Sequence, residues 1–96
     1  MIVIVTYDVN TTTKSGQGRL RHVAKECTKY GKRVQSSVFE CNIDNAQFVV
    51  MKATLLSIVD KSTDSIRFYK LGNNYNRKIE HYGVSNNFEQ EDILIA

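Results

Sequence analysis

Residues 2–9 of this 96-residue chain are IVIVTYDV, a run in which nearly every residue is β-branched or aromatic. Followed by the polar residues 10–13, this run predicts a β-strand and then a loop. Ile2 and Ile4 alternate with Val3 and Val5, so both faces are apolar and we expect the strand to be central in its sheet. Asp8 falls on the Ile2 face at the carboxyl end of the strand, where a carboxylate is out of keeping with its neighbours.

From about Ser15 the hydrophobic period becomes helical, and we expect Gly31 to end this first helix in the left-handed conformation. Its predicted apolar stripe follows the spacing i, i+3, i+4, i+7 and i+10, through Leu20, Val23, Ala24, Cys27 and Tyr30. Three basic residues spaced by four form a row on the opposite face, namely Arg21, Lys25 and Lys29.

Residues 33–43 are again strand-like. They supply two strands if the chain reverses near Ser36 and Ser37; a single long strand is the alternative, because no glycine or asparagine marks a turn. Asp44 and Gln47 form a variant of the capping box and begin a second helix. Its predicted buried residues are Ala46, Val49, Val50, Ala53, Leu56, Leu55 and Val59.

Two further strands are predicted at residues 65–71 and 78–82, separated by a turn at 72–74. Residues 84–92 are predicted to be a loop, and the apolar residues 93–95 a last short strand that pairs with a partner. The order βαββαβ with extra C-terminal strands predicts an α+β, ferredoxin-like domain over residues 1–83 and a tail over 84–96. Two helices cover only one side of such a sheet, and a second copy of the chain, giving a homodimer, is the simplest cover for the other.

The basic charge is concentrated in the first half of the chain. Residues 1–40 carry seven basic and three acidic side chains, whereas residues 41–96 carry six and seven. Such a patch is compatible with nucleic-acid binding, although a solvated lysine-rich helix face is an equally good interpretation. Two cysteines and no apolar run of membrane-spanning length favour a protein of the reducing cytoplasm, with both thiols free and no membrane contact.

The predicted topology brings Asp8, Arg19, Arg21 and the turn at 36–39 to one rim of the sheet. An acid, guanidinium groups and hydroxyls together suit a phosphodiester and a divalent metal. One carboxylate makes a poor Mg²⁺ site, but a two-fold dimer presents two copies of Asp8 across its axis. The alternative is that Asp8 only forms a turn through its own backbone hydrogen bonds.

Four segments resemble the CRISPR-associated Cas2 family, specifically its I-C subtype: residues 5–9 (VTYDV), 19–25 (RLRHVAK), 30–41 (YGKRVQSSVFEC) and 64–72 (DSIRFYKLG). The resemblance runs over residues 1–83. It implies a homodimer with Mg²⁺ or Mn²⁺ held between two copies of Asp8. It also implies a role in acquiring CRISPR spacers beside the Cas1 integrase, with endonuclease activity on single-stranded RNA or double-stranded DNA; the subtype favours DNA.

The resemblance also implies roles for individual residues. Asp8 matches the metal ligand and Tyr7 its neighbour, while Arg33, Phe39 and Ser36 match positions near the active cleft. The basic start of the first helix matches at Arg19 and Arg21, and the predicted nucleic-acid-binding set is Arg19, Arg21, Lys25, Lys29 and Arg33.

Three functions follow as hypotheses. The first is a metal-dependent phosphodiesterase, expected to be slow because no general base is placed beside Asp8. The second is a non-catalytic DNA-binding scaffold. The third, less favoured by the I-C-like segments, is a toxin ribonuclease of the VapD type, which shares the fold.

Overall fold

A computed structural model describes residues 1–72 and 77–84 of the chain. The elements follow the order β1 (Ile2–Asp8), α1 (Lys14–Thr28), β2 (Gly31–Gln35), β3 (Val38–Asn42), α2 (Asn45–Ile58), β4 (Ser65–Leu71) and β5 (Arg77–Gly83). The order confirms the ferredoxin-like α+β fold.

One antiparallel sheet holds all five of these strands in the order β2-β3-β1-β4-β5. The apolar β1 is therefore central, as its composition predicts. The chain reverses between β2 and β3 at Ser36 and Ser37, which confirms the hairpin and excludes the single long strand. The Ser37 carbonyl accepts a hydrogen bond of 3.1 Å from the Tyr7 N–H, which fixes the turn beside the end of β1.

The core lies on one face of the sheet, where the odd-numbered residues of β1 meet both helices. Val3 and Val5 are fully buried there, together with Val23 and Cys27 of the predicted α1 stripe. Ile2, Ile4 and Thr6 lie on the opposite face of β1, which we call the open face. They are only partly buried.

Helix α2 begins at the predicted capping box, in which Asp44 and Gln47 exchange backbone-to-side-chain hydrogen bonds. The prediction of its buried face was only partly right. Phe48, Met51 and Leu55 are buried, whereas Val49 and Val50 are 53% and 56% exposed. Ala46 and Ala53 are also exposed, and the predicted residues that do meet the core are Leu55, Leu56 and Val59.

The physical reason is that α2 is apolar on nearly every side, so its periodicity does not select a face. The buried face is the one that carries the aromatic ring of Phe48. This ring packs edge-to-face on Phe68 of β4, with ring centroids 5.6 Å apart, and a buried phenyl ring removes more apolar surface from water than a valine does.

The predicted role of Gly31 was wrong. Helix α1 ends at Thr28 with Lys29 as a right-handed cap, and Gly31 is the first residue of β2. A β-carbon at Gly31 would lie 2.2 Å from the Glu40 carbonyl oxygen and 2.7 Å from the Cys41 sulfur. Glycine is needed here because β2 approaches β3 closely, not because a helix must be stopped.

The predicted final strand at residues 93–95 and the loop beyond residue 84 lie outside the described residues, so the division into a domain and a tail stays a prediction. None of the helices within the described ranges is long and apolar enough to cross a bilayer.

Candidate functional site

A polar pocket of about 160 Å³ opens at the end of β1. Asp8, the last residue of β1, is exposed there and pairs across the sheet with Ser65 of β4. The pocket is lined by Thr6, Tyr7, Asp8, Ser37, Val38, Ser65 and Arg67. It therefore combines a carboxylate, the aliphatic hydroxyls of Thr6, Ser37 and Ser65, and a guanidinium.

Strand alternation decides which side chains share this pocket. Asp8 and Thr6 lie on the open face, and Arg67 of β4 pairs directly with Thr6, so all three are on the same face. Arg67 is nevertheless only 4% exposed. Arg67 was not among the predicted site residues, although a charged residue between Ile66 and Phe68 in an apolar strand was a visible signal.

Three of the predicted site residues form a separate group on the helix-facing side of the sheet. The rings of Tyr7 and Phe39 are stacked, with centroids 6.2 Å apart, and the Arg33 guanidinium carbon lies 5.2 Å from the Phe39 centroid. Because Tyr7 and Asp8 are consecutive in a strand, their side chains leave opposite faces. The structure thus places this group across the sheet from the Asp8 carboxylate. Ser36 is exposed in the hairpin turn and, unlike Ser37, does not line the pocket.

The Tyr7 hydroxyl is buried and has no hydrogen-bond partner among the described residues. Burial raises the pKa of this phenol, as does the nearby Cys27 thiol, while Arg33 opposes the rise. Tyr7 is therefore a neutral core side chain at neutral pH, and it contributes its backbone rather than an ionised oxygen to the neighbourhood of Asp8.

Arg19 does not line the Asp8 pocket, contrary to the expectation that it meets Asp8 at one rim. Its Nε atom donates to Asp64 Oδ2 at 2.8 Å, and its Nη2 atom donates to Asp64 Oδ1 at 3.3 Å. Asp64 is buried and also accepts from the backbone N–H groups of Asn10 and Asp60. Burial would raise the pKa of Asp64, but these hydrogen bonds and one from Thr63 outweigh it and lower the pKa. Arg19 thus has a structural partner, and its nucleic-acid contact stays a prediction.

The residues of the Asp8 pocket lie in the part of the chain that is similar to known proteins. The family described as "CRISPR associated protein Cas2" matches residues 1–79. The chain belongs to the Cas2 family. The matched range includes β1, the hairpin and β4, so it contains the whole lining of the Asp8 pocket.

Several Cas2 proteins are similar over nearly the full chain. The CRISPR-associated endonuclease Cas2 of Halalkalibacterium halodurans is 50% identical over 95 residues, which cover 99% of each chain. The CRISPR-associated endoribonuclease Cas2 of Chlorobaculum tepidum is 52% identical over 95 residues, with the same coverage. The crystal structure of Streptococcus pyogenes Cas2 at pH 6.5 matches with a TM-score of 0.70 and 61% identity, covering 78% of this chain and 90% of that one.

This Cas2 family member carries the predicted basic row on the exposed face of α1. Arg21, Lys25 and Lys29 are all exposed. The Lys29 ammonium donates to Glu26 at 2.9 Å, and this hydrogen bond raises the pKa of Lys29. Exposure of the row is confirmed, and its contact with nucleic acid stays a prediction.

The metal predicted for the Cas2 site can be tested against the donors present. Among residues 1–72 and 77–84, no three histidine, cysteine, aspartate or glutamate side chains are grouped to hold a metal ion. The pocket offers Asp8 as its carboxylate, with hydroxyls from Thr6, Ser37 and Ser65. Mg²⁺ usually takes one or two carboxylates and completes its coordination with water and phosphate oxygens. The pocket of one chain therefore offers one such carboxylate, and the remaining ligands would be water and phosphate oxygens.

Proposed function

We propose that this chain is a metal-dependent endonuclease that acts as a homodimer on double-stranded DNA during CRISPR spacer acquisition, beside the Cas1 integrase in the cytoplasm. The similar proteins named endonuclease and endoribonuclease support nuclease activity. The segments that resemble I-C members favour DNA over the alternative substrate, single-stranded RNA.

The observation that carries the proposal is the exposed carboxylate of Asp8 at the mouth of a polar pocket on the open face. Asp8 would hold Mg²⁺ or Mn²⁺, and the hydroxyls of Thr6 and Ser37, which line the same pocket, would orient a phosphodiester. A bound divalent ion lowers the pKa of its water and neutralises phosphate charge. Because no histidine lines the pocket among the described residues, proton transfer is inefficient and turnover is slow.

A second copy of the chain completes the site. The open face carries the partly buried Ile2 and Ile4, which pair with Leu71 and Tyr69 of β4. A second copy packed on this apolar surface brings its own Asp8 toward the first, which supplies the second carboxylate.

The test is cleavage of duplex DNA and of single-stranded RNA by purified full-length protein, with Mg²⁺, with Mn²⁺ and with a chelator. We expect Asp8→Ala to reduce metal-dependent cleavage to the level of the enzyme-free blank. Asp60→Asn is the matched control, because Asp60 is an exposed aspartate that lies outside the pocket lining. Cleavage that persists in Asp8→Ala, or in chelator, refutes the catalytic assignment.

The row on α1 favours a second candidate, a non-catalytic DNA-binding scaffold. Its exposed cations bind duplex phosphates without reading sequence, so affinity falls steeply with salt. Arg21→Gln and Lys25→Gln should each reduce the slope of log affinity against log salt by about 0.9 per lost phosphate contact. Spacer acquisition that survives Asp8→Ala supports the scaffold hypothesis. Loss of acquisition in the Asp8→Ala variant, with folding and DNA binding intact, refutes the scaffold hypothesis.

A further inference from the structure

Arg67 is a buried cation in the same pocket as Asp8. We infer that Arg67 binds a backbone phosphate of the nucleic acid in this pocket and thereby positions the strand at Asp8. The inference rests on the proposed function, since it names the residue that holds the anionic substrate.

The sheet register places the two charged residues on one surface. Arg67 pairs with Thr6, and Asp8 pairs with Ser65, two residues from Arg67 along β4. Diagonal neighbours of this kind on one face of an antiparallel pair are about 7–8 Å apart, within reach of a long side chain. Both residues line the cavity of about 160 Å³, so an anion that enters it meets both of them.

In the absence of a bound metal ion, the lining needs a cation to hold a phosphate. Asp8 by itself repels a phosphate, and the remaining polar side chains, Thr6, Ser37 and Ser65, are neutral. Arg67 supplies a planar guanidinium whose N–H groups match two phosphate oxygens at once. At 4% exposure it is shielded from solvent, and its attraction for an anion is screened less than that of a surface lysine.

Arg67 also takes part in an interaction with the rest of the protein. The centre of β4 is otherwise apolar or aromatic, with Ile66 and Phe68 as its chain neighbours. A structural ion pair and a substrate contact both explain a buried arginine, so the experiment must separate them.

The experiment measures binding of a short DNA duplex to full-length protein by fluorescence anisotropy, in chelator and over a series of salt concentrations. We expect Arg67→Gln to reduce the slope of log affinity against log salt by about 0.9 for each pocket that the duplex enters. Arg67→Lys should keep the slope but weaken binding, because an ammonium cannot make the bidentate contact. Lys61→Gln is the charge-matched control, an exposed lysine outside the pocket, and should leave the slope unchanged.

A purely structural role for Arg67 predicts lower thermal stability with an unchanged salt slope, and that result overturns the inference. If Arg67→Gln does not fold, the Nε–H resonance of Arg67 in wild-type protein, assigned by its absence in Arg67→Lys, provides the readout. A saturable shift on titration with dimethyl phosphate supports the inference, and no shift overturns it. The salt slope and the Nε–H shift need neither metal nor cleavage. If the protein gives the expected slope and shift but cleaves no nucleic acid, the nuclease proposal is refuted and the inference about Arg67 stands.

Discussion

Replacing Asp64 with asparagine removes the charge from a carboxylate that joins three segments of the chain. Asp64 is 1% exposed, and Arg19 of α1 binds it 45 residues away in sequence. The N–H groups of Asn10, after β1, and of Asp60, after α2, also donate to it. Asparagine keeps the shape but offers one acceptor oxygen and turns an N–H group toward donors that need an acceptor.

The expected loss in the free energy of unfolding is about 3 kcal/mol. Breaking a buried ion pair by removing one partner costs roughly 3–5 kcal/mol. We take the lower end because the Arg19 side chain keeps 18% of its surface in water and can be partly solvated in the variant. For a domain of this size the loss corresponds to a fall in Tm of roughly 12–24 °C.

The assay is urea unfolding followed by circular dichroism at one fixed protein concentration, because dimer formation makes apparent stability depend on concentration. Asp60→Asn is the matched control. Its carboxylate accepts from the N–H and hydroxyl of Ser62, which an amide oxygen also does, so its midpoint should barely move. A loss below about 1 kcal/mol in Asp64→Asn, with an unchanged m-value, would refute the view that Asp64 anchors the three segments.

The Asp64 carboxylate also makes the free energy of unfolding depend on pH. The folded-state pKa of Asp64 is lowered, so it lies below the value of about 3.9 expected in the unfolded chain. Its stabilisation is therefore complete above that value and is lost as the pH falls through the folded-state pKa. The stability difference between wild type and Asp64→Asn should narrow below about pH 4 and be constant from pH 5 to 7.

Two further predictions concern close packing and the thiols. Gly31→Ala should destabilise the protein by about 1–3 kcal/mol, because its β-carbon would lie 2.2 Å from a carbonyl oxygen of β3. Gly18→Ala, whose β-carbon meets nothing nearer than 3.9 Å, should instead stabilise α1 by up to about 1 kcal/mol. Equal changes in the free energy of unfolding of the two variants, measured in urea, would contradict this prediction. Cys27 and Cys41 are buried, and burial raises their thiol pKa values to about 12 and about 11. Ellman's reagent at pH 8 should therefore label them only at the rate of unfolding. Rapid labelling of the native protein would instead show that the thiols are accessible.

Local patterns account for most of the fold. The alternation in residues 2–9 predicts a central strand with Asp8 on the Ile2 face, and β1 is central in the sheet. The period of α1 and the Asp44–Gln47 capping box likewise predict where helices run and begin, since both depend on residues a few positions apart.

The candidate site is less predictable because its residues come together through long-range pairing. Arg67 reaches the Asp8 pocket through the register of β1 against β4, about 60 residues away. Arg19 looks like a free cation in the sequence, yet it is bound to Asp64. Neither contact can be read from a local sequence pattern, because each joins residues that are far apart in the chain.

The sequence by itself determined the order of elements, the central strand and the face that carries Asp8, because side-chain alternation and helix capping are properties of neighbouring residues. The tertiary structure alone decided which face of α2 is buried, since that helix is apolar nearly all round and the face that carries Phe48 is the one that packs on Phe68 of β4. It also decided that Arg67, and not Arg19, shares the pocket with Asp8. Sheet register and close packing settle such pairings, and both act between residues that are far apart in the chain.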